Sequence, residues 1–364
     1  MAIHVQNFHV DAFRGIHAFE ANNMNHINLI VGDNNCGKTS ILEALLLLRN
    51  PPDIANILRV SRQRESTYSF SRISIFDCFM SMLPQGDTDQ RICIHAECFG
   101  LPVDYVIQGE PTRIMLDESD VRLFPYSRLK KDIPPEANAF LGSLEWRIGD
   151  HSDFEKISIH EHSRISGIEF KRGQLMDMTY LSPVDHVRTG VLNNIVRNEG
   201  YKEICLRVIK MFDPEITDLL ILKNELTNRP VEYIKHQKLG TMPVSTYGDG
   251  IKKVLLFANA IASSAGGVLL IDEIDTAIHS KYYDDIFRFL IKACRQYNVQ
   301  LFITTHNIEA VDALLATQDY QEQSHADEIN VITLKKEPQR TFTRILSGRE
   351  VFNNREAFNF EVRL

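Results

Sequence analysis

The chain has 364 residues, 44% of them hydrophobic and 24% charged, and its net charge is −8. This composition is typical of a globular protein with room for two domains, or for one large domain that carries an insertion. The negative net charge argues against a protein whose whole surface attracts nucleic acid. No apolar run approaches the ~20 residues that span a bilayer, and the N-terminus lacks the features of a signal peptide, so we expect a cytoplasmic protein. The six cysteines form no CxxC pair and are interpreted as reduced structural thiols.

The first fifty residues predict three strands, a loop and a helix. The run IHVQNFHVDAF alternates apolar and polar residues, as a half-buried strand does. The run INLIVG is continuously apolar, which is typical of a strand buried on both faces. A loop rich in glycine and asparagine follows, and the apolar helix TSILEALLLLRN then ends at Pro51 and Pro52.

Residues 51–180 have a different pattern. After a predicted helix at IANILRVSRQ, short alternating runs such as RICIHAECF and EKISIHE are separated by turn residues, which indicates an antiparallel sheet. Farther on, Ile204, Val208 and Met211 have the spacing of an amphipathic helix. We predict a β-rich insertion over 51–180 and a helical subdomain over 181–230.

Helices and strands alternate in the last part of the chain. Apolar runs such as GVLLID, QLFITTH and INVITLKK are separated by helical segments such as IKKVLLFANAIASS and YYDDIFRFLIKACRQY. This alternation predicts an α/β fold with a mostly parallel sheet that is covered by helices. We predict that residues 1–50 and 231–364 together form this core.

The motif GDNNCGKTS, residues 32–40, matches G-x-x-x-x-G-K-[ST] and lies between a predicted strand and a predicted helix. Gly32 and Gly37 allow backbone N–H groups to turn towards phosphate oxygens, and the helix N-terminus adds a favourable partial charge. Lys38 is expected to reach the β- and γ-phosphates of ATP, and Thr39 is expected to ligate Mg²⁺. The predicted nucleotide-binding residues of this loop are Asn34, Asn35, Cys36, Gly37, Lys38, Thr39 and Ser40.

A second motif, GVLLIDEID at 267–275, is an apolar strand that ends in two adjacent carboxylates. Ligands of open α/β sheets bind at the carboxyl ends of the strands. There Asp272 is predicted to hold Mg²⁺, and Glu273 is predicted to act as the general base towards an attacking water. Alone, these residues are typical of a solvated strand end, but a phosphate loop earlier in the chain favours the Walker B interpretation.

A third strand, in LFITTHNIEAV, is followed by His306. An imidazole at this edge of the sheet is able to bond the γ-phosphate or to hold the attacking water. His306 is therefore a second catalytic candidate, whereas His4, His9, His95 and His160 are interpreted as structural.

The order of these motifs resembles that of ABC-type ATPases, and above all the branch that contains the RecF, SMC and OLD proteins and many stand-alone bacterial ATPases. The resemblance covers about 1–50 and 240–364 and includes FHVDAFRGI, YGDGIKK, LLIDEIDTAIHS, ITTHNIEAV and LSGREVF. It implies an ABC-ATPase fold, ATP hydrolysis with Mg²⁺, a D-loop over Asp275–Ser280, and a role for Arg14 near the nucleotide.

The resemblance also implies a composite site in a homodimer. ABC ATPases place a Ser-Gly-Gly signature on the ATP of a second subunit, and the OLD-like form of that segment is here Tyr247 followed by Gly248, Asp249 and Gly250. These three residues are therefore predicted to contact the partner's nucleotide. No Q-loop glutamine is recognisable, although the segment 180–190 lies where that loop belongs.

The favoured function is an ATP-driven dimeric switch in a bacterial anti-phage defence or toxin-like complex, with a separate effector such as a nuclease or toxin. The alternative is a RecF-like DNA repair or recombination ATPase that binds DNA directly. The acidic balance counts against it, while seven Lys and Arg against four Glu from Lys335 onwards offer a basic patch. A transporter subunit, the third candidate, fits the insertion and the signature least. Only 58 residues follow His306, too few for a nuclease module.

Overall fold

The structure, a computed structural model, describes most of the chain. The described residues are 2–65, 73–84, 90–116, 136–163, 174–187, 190–224, 228–320, 327–337, 340–358 and 361–362. Across those ranges, none of the helices has both the length and the apolar character needed to cross a membrane. The helices are α1 Lys38–Leu47, α2 Ile54–Ser61, α3 Ile75–Met80, α4 Glu199–Ile209, α5 Asp249–Ser263, α6 Tyr283–Tyr297, α7 Ile308–Leu315 and α8 Gly348–Phe358.

The strands belong to three sheets. They are β1 Val5–Phe13, β2 Ile16–Ala21, β3 Ile27–Gly32, β4 Ile92–Cys98, β5 Leu101–Met115, β6 Glu136–Ile148, β7 His151–His160, β8 Met178–Leu181, β9 Ile216–Lys223, β10 Pro230–His236, β11 Gly240–Pro243, β12 Val268–Ile271, β13 Gln300–Thr304, β14 Ile329–Lys336 and β15 Thr341–Ser347.

One sheet has the order β15-β14-β3-β13-β12-β8 and is parallel except for its edge strand β15. Every residue of β3, β12 and β13 is buried, because helices or other strands cover both faces. The carboxyl ends of β3, β13, β12 and β8 therefore meet at one edge, which is where the predicted motifs lie.

A second sheet, with the order β2-β1-β4-β5-β6-β7, is antiparallel throughout. Its strand β1 alternates between buried and partly exposed residues, which fits a sheet with one covered face. Strand β1 thus pairs with β4 of the 51–180 segment, while β8, at the end of that segment, completes the parallel sheet. The sheets cross all three of the predicted domain boundaries, and the division into domains stays a prediction.

The region after β8 combines one helix with a small sheet. The helix predicted around Ile204 is α4, and the three strands β9, β10 and β11 follow as an antiparallel sheet. Apolar side chains of this sheet, among them Leu219 and Ile234, pack with Tyr201 of α4 in one core. The predicted helical subdomain over 181–230 thus contains a helix and the first strand of this sheet.

The parallel sheet separates two hydrophobic cores. Leu269 and Ile271 of β12 point into a core shared with α5 and α6, whereas Val268 and Leu270 point into a core shared with α1 and the antiparallel sheet. Helix α1 is buried along nearly its whole length between the two large sheets. The phosphate-loop helix is thereby held rigidly by packing from both sides.

Candidate nucleotide-binding site

The loop between β3 and α1 is shaped for glycine at two positions. Gly32 has φ 148° and Gly37 has φ 107°, values that residues with a side chain rarely adopt. A Cβ atom at Gly32 would clash with the carbonyl of Leu334, and one at Gly37 would clash with the side chain of Ile16. These glycines therefore let the loop turn tightly against the neighbouring strands.

The end of the loop presents groups that suit phosphate. Lys38 is buried, and its ammonium donates to the carbonyls of Gly32 at 2.8 Å and Asp33 at 2.7 Å. Among the described residues, no side chain caps the N-terminus of α1, so the first N–H groups of that helix are available to an anion. A lysine and uncapped helical amides on a glycine turn fit the phosphates of a nucleotide.

Asp272, directly after β12, accepts hydrogen bonds from three hydroxyl groups. Thr39 donates to its Oδ2 at 2.9 Å, Tyr180 donates to the same oxygen at 3.1 Å, and Thr304 donates to Oδ1 at 2.6 Å. The three donors come from α1, β8 and β13, and Asp272 follows β12. Burial, followed by the Asp272 charge, raises the pKa of Tyr180 well above its ordinary value, so this hydroxyl stays a donor.

Glu273 is held in an unusual backbone conformation beside Asp272. Its φ is 46°, in the left-handed region that a residue with a side chain occupies only where the surroundings enforce it. Its N–H donates to Thr304 Oγ1 at 2.8 Å, and its carboxylate accepts from the hydroxyl of Thr276 at 3.4 Å. Thr304 thus bonds to both Asp272 and Glu273 and fixes their relative positions.

A buried carboxylate supports the other side of the phosphate loop. Glu43 of α1 is fully buried and forms ion pairs with Arg14 at 2.9 Å and with Arg64 at 2.7 Å. Arg64 also donates to Ser40 Oγ at 2.9 Å, so it joins the first turn of α1 to the segment after α2. Arg14 is buried here rather than solvated, and Glu43 compensates its charge.

Lys253 of α5 is a buried cation behind the acidic residues. Its side chain is fully buried, and its ammonium lies 3.4 Å from the carbonyl of Pro183 in the loop after β8. Burial lowers the pKa of Lys253 to about 8, while nearby carboxylates, those of Asp185 and Asp275 foremost, oppose this effect. The loop after β8, where a Q-loop would lie, is therefore tied to α5.

The other predicted residues lie in two further places. His306 is exposed two residues beyond β13, just before α7, at the same edge of the sheet as Asp272. Gly248 and Asp249 are exposed at the start of α5, where the described residues offer no side-chain cap. Of the predicted D-loop, Asp275 accepts a hydrogen bond from Thr305 at 2.5 Å, and His279 is exposed.

The residues at the sheet edge fit a hard divalent cation. Mg²⁺ prefers oxygen ligands, few of them from protein, and commonly combines a hydroxyl and a carboxylate with phosphate and water. Thr39 Oγ1 and Asp272 Oδ2 already lie 2.9 Å apart. Such an ion would be held by these two residues. Their role as Mg²⁺ ligands stays a prediction.

Two family models match the chain. Residues 117–312 match a model described as "AAA domain, putative AbiEii toxin, Type IV TA system", and residues 3–172 match one described as "AAA ATPase domain". The first match covers more than half of the chain. The chain therefore belongs to the family of this first AAA domain model. The predicted ATPase activity and the predicted resemblance to stand-alone AAA ATPases are thereby confirmed.

Individual relatives agree with this assignment. An "ATP/GTP phosphatase" of Helicobacter pylori is 21% identical over 97% of this chain and 99% of its own. An uncharacterized protein of Methanocaldococcus jannaschii is 27% identical over 32% of this chain and 98% of its own. A solved SMC head bound to the C-terminal winged-helix domain of ScpA is 12% identical, covers 96% of this chain and 100% of its own, and has a TM-score of 0.51. That likeness confirms the predicted fold class.

Four residues of the ATPase site do not follow from the motifs alone. Thr304 stands in the ITTH run, but its role depends on β13 lying beside β12. Tyr180 depends in the same way on β8 as the next strand. Glu43 and Arg64 depend on the fold of the segment after α2. A carboxylate and an arginine near a phosphate loop are weak signals in a single sequence.

Proposed function

We propose that the ATPase is an ATP-driven dimeric switch. The observation that carries the proposal is that one chain contains both a nucleotide half-site and an exposed, uncapped helix start. Lys38, Thr39, Asp272 and Glu273 form a nucleotide half-site at the sheet edge, whereas Gly248 lies exposed at the uncapped start of α5. The N-terminus of a helix favours a bound anion. The phosphate of a nucleotide that is held by a second copy of the chain is such an anion.

Each side chain has a definite part in hydrolysis. Lys38 binds the β- and γ-phosphates, and Thr39 and Asp272 hold Mg²⁺, which neutralises developing charge when bound. Glu273, oriented by Thr276 and by its backbone bond to Thr304, accepts a proton from the attacking water. His306, at the same edge, donates to the γ-phosphate or positions that water.

The ATPase acts in a defence or toxin-like complex that contains a separate effector. The description of the matching family names the AbiEii toxin and a type IV toxin–antitoxin system, and the SMC head with this fold is bound to another protein, ScpA. An effector such as a nuclease or a toxin would then respond to dimer closure. The cytoplasmic location belongs to this proposal.

Complementation between two inactive chains tests the composite site. Lys38→Ala destroys the half-site but leaves the start of α5 intact. Gly248→Trp does the reverse. Gly248 has φ −63°, and a Cβ added there would meet no atom of the described residues within 4 Å, so the chain itself accommodates the larger side chain. If the sites are composite, each variant alone is inactive and an equimolar mixture regains part of the wild-type ATPase rate.

The matched control is Gly200→Trp, at an exposed glycine in the first turn of α4. It is expected to keep the wild-type rate. If the mixture stays as inactive as its components, or if Gly248→Trp alone keeps full activity, the dimeric switch is wrong. Capture of a partner from cell extract with Glu273→Gln as bait addresses the role: a nuclease or toxin supports the defence complex, and DNA alone supports the RecF-like alternative.

A further inference from the structure

The outer face of the antiparallel sheet carries a row of polar side chains that the ATPase site does not use. In the strand register, His9 faces His95, His95 faces Asp104, and Asp104 faces Arg147. Directly paired residues of an antiparallel sheet present their side chains on the same face. The row is bonded at its centre: His95 Nδ1 lies 2.6 Å from Asp104 Oδ1, and Arg147 Nε donates to Asp104 Oδ2 at 2.6 Å.

Two further groups converge on the other nitrogen of His95. Cys93 lies two residues earlier on β4 and so shares its face; its Sγ is 3.2 Å from His95 Nε2. Asp11 lies at the register shift between Val10 and Ala12, where β1 bulges against β4, and its Oδ2 is 3.5 Å from the same nitrogen. All three ligand atoms lie within 4.8 Å of one another.

The partner of Nδ1 determines what Nε2 is able to do. A carboxylate only accepts hydrogen bonds, so the bond to Asp104 places the proton of a neutral imidazole on Nδ1. The lone pair on Nε2 then points towards Cys93 and Asp11. A histidine oriented by a carboxylate in this way is the usual arrangement at protein-bound zinc.

We propose that Cys93, His95 and Asp11 bind a Zn²⁺ ion, with Asp104 as the residue that orients His95. Tetrahedral zinc with these donors separates its ligand atoms by roughly 3.3–3.6 Å, given the usual zinc–ligand lengths. The observed separations of 3.2 and 3.5 Å need little adjustment to reach that range. A thiolate and a carboxylate also balance the charge of the ion, and three protein ligands leave one position for water.

A second cluster in the same chain contains a histidine that is not suited to bind a metal ion. His236 Nε2 lies 3.2 Å from Asp213 and 3.5 Å from Glu215. However, its Nδ1 accepts the backbone N–H groups of Lys238 and Leu239 at 3.1 and 3.0 Å. The proton must therefore be on Nε2, where it bonds the carboxylates and leaves no lone pair for a metal.

The same three groups do not favour a cysteine nucleophile. The attacking species would be the thiolate. Burial, followed by the hydrogen bond and the charge of Asp11, raises the pKa of Cys93 to about 12. The free thiol is therefore protonated and a poor nucleophile at neutral pH, whereas a bound Zn²⁺ would deprotonate it and take the thiolate as a ligand.

The ion would join β1 to β4 at the bulge. The Asp11 side chain is 62% exposed and that of His95 is 43% exposed, so the site opens to solvent on one side. Zinc there would hold together two neighbouring strands of the sheet that covers α1. The site is not part of the nucleotide half-site, so its test does not depend on the proposed switch.

The test uses metal-stripped full-length protein and Co²⁺ as a spectroscopic substitute for zinc, with Zn²⁺ competition to confirm the site. Wild type is expected to bind one equivalent with a thiolate-to-cobalt charge-transfer band, which Zn²⁺ then removes. Cys93→Ser is expected to lose the band. Asp104→Asn is expected to weaken Zn²⁺ binding by about 10- to 100-fold, as loss of an orienting partner does.

Two variants keep the test decisive. Asp11→Asn changes an exposed side chain, so a loss of Zn²⁺ affinity in a folded protein supports the site even if Cys93→Ser misfolds. His236→Gln, in the unsuitable cluster, is expected to keep wild-type affinity. The proposal is overturned if wild type shows no thiolate band, or if Asp11→Asn and Asp104→Asn both bind Zn²⁺ as wild type does.

Discussion

The parallel and the antiparallel sheet both gather polar side chains, but the first does so at the carboxyl ends of its strands and the second on one face of its strands. At the edge of the parallel sheet, Thr39, Tyr180, Asp272 and Thr304 meet although they are far apart in sequence. In the antiparallel sheet, the row through His95 follows from the register of neighbouring strands. The first arrangement serves a ligand that bridges several strands, and the second offers a compact site on one face.

This difference separates the nucleotide half-site from the proposed zinc site. The ATPase site lies at the carboxyl ends of the strands and in the segments that follow them. The row on the antiparallel sheet lies within strands, on a surface backed by a packed core. Changes at the first site should alter nucleotide chemistry, and changes at the second should leave ATP hydrolysis near wild type.

The largest expected effect is that of Lys38→Ala. It removes the buried ammonium that lies on the phosphate loop, and a lost phosphate contact of this kind costs about 100-fold or more in hydrolysis. Phosphate release at saturating ATP and direct nucleotide binding are the measurements. Lys292→Ala, on the exposed side of α6, is the control and should keep the wild-type rate.

Thr304→Val should reduce ATP hydrolysis by about tenfold, because the hydroxyl that joins Asp272 to Glu273 is lost without a change of shape. Thr333→Val is the matched control. Thr333 is a buried threonine of β14 in the same sheet, and its hydroxyl donates to the carbonyl of Val362. Both variants should lose about 1 kcal/mol of stability, but only Thr304→Val should lose activity. Equal rates in the two variants would contradict the account of the sheet edge.

A smaller effect is expected for Tyr180→Phe. Asp272 keeps two of its three hydroxyl donors, so hydrolysis should fall by about threefold, and the apparent Mg²⁺ requirement should rise. The control is Tyr201→Phe, whose buried hydroxyl donates to the carbonyl of Ala258. If Tyr201→Phe changes the Mg²⁺ dependence as much as Tyr180→Phe does, the effect is one of general stability.

The last expected effect is on stability, not on activity, and it depends on pH. The folded pKa of Lys253 is about 8, below the ordinary 10.5, so the unfolded chain binds more protons between these values. The contribution of this lysine to the free energy of unfolding therefore rises as the pH increases from about 8 to 10.5. Denaturant unfolding of Lys253→Met should lack this rise, and that of Lys292→Met should retain it. Parallel pH profiles for wild type and Lys253→Met would show that the buried amine does not titrate there.

Much of the parallel sheet was predictable. The continuous apolar runs of β3, β12 and β13 predict strands buried on both faces, and the residues after them predict phosphate and metal ligands. The position of β8 was not predictable, because four residues carry too little pattern to identify their neighbour. Tyr180 was missed for that reason, and Arg64 was missed because its buried partner Glu43 resembles any helical glutamate in sequence.

The antiparallel sheet shows a different limit. Its strands were predicted from alternation, but alternation does not give the register, and the row through His95 exists only in one register. For the same reason the cysteines and His95 were interpreted as structural. All six cysteines lie among the described residues and none forms a disulfide, as predicted. Cys93 and His95 are recognisable as candidate metal ligands only in the folded structure, where Asp11 and Asp104 lie beside them.

The most direct test of the switch is the mass of Glu273→Gln in solution, measured by light scattering with and without ATP and Mg²⁺. Loss of the general base should slow hydrolysis by about 10²- to 10⁴-fold while nucleotide binding persists. The account predicts that ATP doubles the mass of this variant and that the dimer persists, whereas ADP leaves it monomeric. A variant that binds ATP and keeps the same mass in every nucleotide would contradict the central claim.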